Sequence, residues 1–182
     1  VTTARVTHAT PGATFTHTPE RNWENDSDLP DQAVREGCID IARQLVETPF
    51  GRGFEVLMGG GRKNFMPVTQ RDPEEDDKVG ERLDGRDPIT DWKRRHPGGV
   101  YAWNKAQLDA APLDKPLLAL FQPDHMQFEY ERPKDVAGEP SLAEMTRAAI
   151  ARLSRDQDGY VLLVEGGRID HANHYGNAYR AL

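Results

Sequence analysis

In the stretch YVLLVEGGRIDHANHYGNAYRAL, residues 160–182, Glu165, Asp170, His171 and His174 crowd metal-ligating side chains into one short segment. On a helix of 3.6 residues per turn, Asp170 and His174 share a face, whereas His171 is turned away by roughly a quarter-circle. A carboxylate paired with an imidazole suits zinc, and the nearby Glu165 carboxylate suits a hard ion such as magnesium. The same residues also fit a plain helix start, with Asp170 stabilising its positive end and the histidines solvated. Glu165 favours the metal. It follows an apolar run directly, and a charge at the end of a buried strand is costly to desolvate unless it is paired or bound to a cation.

Such side chains need a scaffold. YVLLV reads as a buried strand, and the glycines after Glu165 permit a sharp turn. At the other end of the chain, VTTARV reads as a strand entering the loop THATPGATFTHTPERNW. In DQAVREGCIDIARQLVE, apolar Val34, Cys38, Ile41, Ala42 and Leu45 recur at helical spacing, and FEVLMGGG follows as a short strand closed by glycines. Residues from about 64 to 140 read as a peripheral excursion, charged and Pro-rich up to 116, with PITDWKRR and NKAQLDAA as brief helices and VYAW as a strand fragment. LLALF is a further apolar strand. In SLAEMTRAAIARLS, Ser141 and Glu144 have capping-box spacing before an amphipathic face of Leu142, Met145, Ala149 and Leu153. Wholly apolar strands alternating with amphipathic helices predict an α/β fold with a central, mostly parallel sheet flanked by helices. In such sheets, sites form outside the carboxyl ends of the strands, where Glu165 is expected.

Composition bounds what the chain can be. With 182 residues and 37% apolar content it can form one domain with a sizeable core. A net charge of -7 and the lack of a Lys/Arg-rich run exclude nucleic acid as a specific partner. No apolar stretch approaches the ~20 residues that cross a bilayer, and VTTARVTHAT lacks the charged start and apolar core of a signal peptide. Cys38 is the only cysteine, so no disulfide closes within these residues.

VEGGRIDHANH resembles the metal-binding signature of alkaline phosphatases. VTTARVTHATPGATFTHTPERNW, REGCIDIARQL, LMGGGRKNF, ERLDGRD, YAWNKAQL and EMTRAAIARLSR follow in that family's order and approximate spacing, so the resemblance covers most of the chain. It implies an incomplete three-layer α/β sandwich and phosphomonoester hydrolysis through a phosphoserine, with two zinc ions and one magnesium. By resemblance, Asp170 and His174 are ligands of the zinc that activates water and holds phosphate, and Glu165 is a magnesium ligand. Thr10 resembles that magnesium's hydroxyl ligand, and His8 its outer neighbour. Arg21 resembles the guanidinium that clamps the substrate phosphate, a role suited to its planar fork of donors. The calcium site of animal-type members maps to Glu74, the Phe121 carbonyl, Gln122 and Glu139. Gln122 stands where a glutamate is expected, which weakens attraction for a dication. Asn173 replaces a histidine common in the animal signature.

The resemblance also implies small phosphate monoesters as substrates and a homodimeric full-length enzyme. An extracellular or periplasmic location follows from it, with lipid anchoring at the outer cell surface as one form. Two zinc ligands are too few for a catalytic zinc. His17, His96 and His125 match no ligand motif, and Ser27, Ser141 and Ser154 do not stand in a nucleophile context. The expectation is therefore an internal part, truncated at both ends, of one alkaline-phosphatase-like domain that is inactive by itself. Two other readings use the same residues. One is a related two-metal hydrolase of the sulfatase or cofactor-independent phosphoglycerate mutase type, which lacks EGGRIDHANH beside HATP and ERNW. The other is a non-catalytic metal-binding module.

Overall fold

The computed structural model describes residues 1–48 and 53–182. Three strands, β1 (Val56–Gly59), β2 (Val100–Ala102) and β3 (Leu117–Leu120), form a parallel sheet in the order β1-β3-β2. Val56 and Val100 both pair in register with Leu117, so β3 lies at the centre. Every residue of β3 is buried, as expected for a central parallel strand covered on both faces. Its alternate side chains serve two cores. Leu118 and Leu120 pack with Leu45, Val46, Phe65 and Trp92 on one face. Leu117, Ala119 and Phe121 pack with Met58, Leu108, Met145 and Ala149 on the other.

Of the helices α1 (Ala9–Gly12), α2 (Asp31–Arg35), α3 (Ile41–Glu47), α4 (Pro88–Arg95), α5 (Lys105–Ala110), α6 (Leu142–Leu153), α7 (Gly167–His174) and α8 (Ala178–Ala181), α3, α4, α5 and α6 supply those cores and the others lie outside them. Ser141 caps α6 through a reciprocal capping box, its hydroxyl accepting the Glu144 N–H at 3.2 Å while the Glu144 carboxylate accepts the Ser141 N–H at 2.8 Å. The fold is α/β with helices on both faces of a small parallel sheet.

Three expected elements differ. The helix predicted through residues 31–47 is two helices, because Gly37 adopts φ +83° and Asp40 caps α3 by accepting the Arg43 N–H. VTTARV forms only bridges, Thr2 to Glu165 and Arg5 to Gly60. YVLLV is not a buried strand: Val161 is 99% exposed, and Leu163 and Val164 are also exposed. It runs beside the first residues through hydrogen bonds from the Val1 amino group to the Leu163 carbonyl and from the Glu165 N–H to the Val1 carbonyl. Nothing among the described residues pairs with its other edge. The segment 64–140 supplies β2, β3 and the core residue Trp92, so much of it is integral to the domain.

Two fully buried arginines brace the loops around the sheet. Arg62 donates to both Asp72 oxygens at 2.7 and 2.6 Å, to Glu74 at 2.8 Å and to the Leu120 carbonyl at 2.8 Å. Arg82 donates to both Asp40 oxygens at 2.9 Å and to Asp84 at 2.6 Å, tying the cap of α3 to a distant loop. At the end of β1 the chain passes so close to the 122–126 loop that a Cβ on Gly60 would collide with the Asp124 carbonyl oxygen.

Candidate metal and phosphate site

The carboxyl ends of β1 and β3 feed the loops that carry the candidate residues. Gly60, just after β1, donates to the Ala4 carbonyl at 2.9 Å and accepts the Val6 N–H at 3.1 Å, which seats the segment leading to His8 and Thr10. Met126, beyond β3, donates to the Thr3 carbonyl at 3.1 Å. The backbone N–H of Arg168, near the start of α7, donates to the Thr3 hydroxyl at 3.0 Å. Residues remote in sequence are thereby gathered at one end of the sheet.

On α7, His174 Nε2 lies 3.6 Å from Asp170 Oδ2, and both side chains are largely exposed. Glu165 is half-buried and accepts the Thr2 hydroxyl at 2.5 Å. Thr10 is exposed in α1, two residues from His8. Arg21 is exposed, and its Nη2 stands 3.4 Å from His8 Nε2. The structure thus joins Asp170 with His174, and Arg21 with His8. His8 also meets α7, with its ring centroid 5.3 Å from that of His171.

The neighbourhood mixes arginines with carboxylates. Arg5 donates to Glu24 at 2.8 and 2.6 Å and to Asp124 at 2.6 Å. Against the burial that pushes its carboxyl up, Arg5 and Thr7 hold Glu24 below the usual carboxylate range. Burial lowers the pKa values of His8 and His171, reinforced by nearby arginines, and lowers that of His125 to about 3, with Arg5 contributing. Each shift favours the neutral imidazole, the form that ligates metals. His125 is the residue that sequence reasoning passed over. Its ring lies 4.3 Å from His171 and 5.0 Å from His8. No linear spacing could signal this, since His8 precedes α1, His125 follows β3 and His171 lies on α7.

The expected calcium residues occupy a second region. Glu74, Trp103, Gln122, Gln127, Glu131 and Asp135 line an open cavity of about 580 Å³. The Gln122 amide donates to Glu74 at 3.2 Å and to Asp135 at 3.1 Å, standing between two carboxylates. Glu139 accepts the Gln127 N–H at 3.0 Å. Burial, with Asp135 contributing, raises Glu74 to about 7, and burial with the charges of Asp135 and Glu74 raises Glu139 to about 8. Phe121 is buried at the end of β3. The sequence did not single out Asp135, which stands in the loop before Glu139.

Fold and geometry define a class: an α/β protein with carboxylates, imidazoles and an exposed guanidinium gathered at the carboxyl ends of parallel strands. The alkaline phosphatase family model matches residues 1–182. The tissue-nonspecific alkaline phosphatase isozyme of Felis catus is 45% identical over 191 residues, covering 100% of this chain and 36% of that protein. The membrane-bound alkaline phosphatase of Bombyx mori is 44% identical over 190 residues, covering 100% of this chain and 34% of that protein. Among solved structures, the alkaline phosphatase of Thermus thermophilus superposes with a TM-score of 0.75 at 34% identity, covering 100% of this chain and 31% of that one. The chain belongs to the alkaline phosphatase family, and it spans about a third of the length of the curated relatives it matches.

Proposed function

We propose that the protein carrying this chain hydrolyses phosphate monoesters, and that the 182 residues are an internal part of one catalytic domain. The observation that supports this reading is the Asp170–His174 pair on one face of α7, beside the cluster that includes Arg21. The donor sets fit the ions: Asp170 and His174 offer one carboxylate and one imidazole to zinc, and Glu165 with the Thr10 hydroxyl offers hard oxygens to magnesium. Two zinc ions and one magnesium, when bound, supply Lewis-acid polarisation of phosphoryl oxygens.

The chain's own part is to hold and orient. Arg21 is solvent-accessible and makes no short ion pair among the described residues, so its fork is available to two phosphate oxygens. Attack by a serine on phosphorus would break the ester P–O bond, release the alcohol and leave a phosphoserine for water to hydrolyse. That serine is none of those present, because Ser141 and Ser27 bond Glu144 and Asn25 at helix starts and Ser154 ends α6. It lies, with the remaining zinc ligands, outside these residues. The calcium region is read as a cation site in which Gln122 has replaced one carboxylate. The full-length protein is read as a homodimer located outside the cytoplasm; among the described residues no helix is long and apolar enough to cross a membrane.

The test is Asp170→Ala in the full-length protein, with p-nitrophenyl phosphate turnover measured beside zinc content. Loss of zinc together with a fall in kcat/KM of more than about a hundredfold is expected, since even residues that only support ligands are worth about 10–100-fold. Full zinc retention with unchanged turnover would refute the assignment.

A further inference from the structure

Outside the Asp170–His174 pair, one group of side chains is arranged as ligands. One nitrogen from each of His8, His125 and His171 lies within 4.8 Å of the other two, and among the described residues no other group of three or more His, Cys, Asp or Glu is so placed. The rings meet at 85°, 82° and 65°, edge to face rather than stacked, which lets ring edges point toward a shared centre. A tetrahedral zinc with bonds of about 2.0–2.1 Å spaces its nitrogens about 3.3 Å apart, so modest side-chain rotation closes the set.

We propose that His8, His125 and His171 form a three-imidazole site for a late first-row divalent cation, zinc above all, separate from the Asp170–His174 pair. Three imidazoles are borderline-soft nitrogen donors, which select zinc, cobalt or nickel over magnesium and calcium and leave a fourth position open. The inference does not depend on the phosphatase reading.

The arginines around the cluster can give way. Arg5 Nη1 stands 2.8 Å from His125 Nε2, but Arg5 keeps Glu24 and Asp124. Arg168 Nη1 stands 3.0 Å from His171 Nδ1, but its guanidinium also lies 3.8 Å over the Phe128 ring. Arg21, 3.4 Å from His8, is exposed to water. A metal therefore displaces guanidinium contacts at unequal cost: Arg5 keeps two carboxylates and Arg21 keeps water, whereas Arg168, whose Nε is already without a hydrogen-bond partner, keeps the Phe128 ring. His125 Nδ1 also accepts the Arg5 N–H at 3.1 Å, so ligation through Nε2 puts the ring proton on Nδ1, sets donor against donor and breaks that hydrogen bond.

The experiment loads the full-length protein with zinc or cobalt(II), after chelation, and compares His125→Gln and His125→Cys with the parent. His125→Gln is expected to lose one equivalent of zinc per chain, or to hold it at least about tenfold more weakly. Cobalt-loaded His125→Cys should gain a thiolate-to-cobalt charge-transfer band that the parent lacks, and Asp170→Ala made in that background should retain it. The cysteine variant decides the matter if the glutamine variant does not fold. Unchanged zinc stoichiometry and affinity in His125→Gln, or a cobalt spectrum of His125→Cys identical to the parent's, would overturn the proposal. So would binding of inorganic phosphate, with no metal, at these three residues.

Discussion

Two polar regions of this molecule look alike in composition and differ in how their charges are satisfied. Around Arg62 and Arg82 the guanidinia are sunk in the interior, Arg62 met by Asp72 and Glu74 and Arg82 by Asp40, Asp84 and, at 3.6 Å, Asp26. Against burial, Arg62 and backbone N–H groups hold Asp72 below its ordinary range. On α7, Asp170 and His174 face water 3.6 Å apart, with no other ion pair among the described residues. The first pattern is bracing, because buried charges persist only when fully paired. The second leaves donor atoms free for a ligand from solution.

The comparison can be broken most forcefully at Arg82. Arg82→Ala strands Asp40 and Asp84, and denaturant unfolding should show a loss of about 3–5 kcal/mol with no specific effect on metal content. Zinc loss without destabilisation would erase the distinction between bracing and ligand-binding charge. A smaller effect is expected at Arg21, on the opposite side of the contrast. Arg21→Ala in the full-length protein should leave zinc and stability unchanged while kcat/KM falls roughly ten- to a few hundredfold, the worth of a charge-assisted phosphate contact of about 1.5–3 kcal/mol. A change in Tm would show instead that Arg21 braces the fold.

Gln122 sharpens the contrast because it lies between the two patterns. Gln122→Glu removes the amide donor shared by Glu74 and Asp135 and adds a like charge. Thermal unfolding should therefore show a lower Tm in chelator and a larger calcium-induced rise than in the parent. Equal calcium response in the two proteins would remove this region from the candidate cation sites. The mildest effect is expected at Ser141, where alanine deletes the α6 cap and should cost about 1 kcal/mol with no catalytic consequence.

Legibility in the sequence followed the range of the forces involved. β1, β3 and α6 were readable because wholly apolar strands and a capping box are local signals, as the Ser141–Glu144 pair shows. The break at Gly37 was missed because apolar spacing continues across it; only a positive φ and the Asp40 cap interrupt the helix. YVLLV has a strand's composition, but strand formation depends on a neighbour, and its outer edge has none among the described residues. Asp170 and His174 were legible because one helix sets their spacing. His125 was not, because its place beside His8 and His171 depends on how segments remote in sequence meet.

Gly60 bears on how the site tolerates change. The 122–126 loop rests against bare backbone at that point, with no room for even one methyl group. Main chain fixes much of its position, since the Gly61 N–H donates to the Gln122 and Asp124 carbonyls, and the His125 ring adds one contact by accepting the Arg5 N–H. The loop works as a socket: main chain sets much of the frame, and residue 125 supplies the donor that the frame presents.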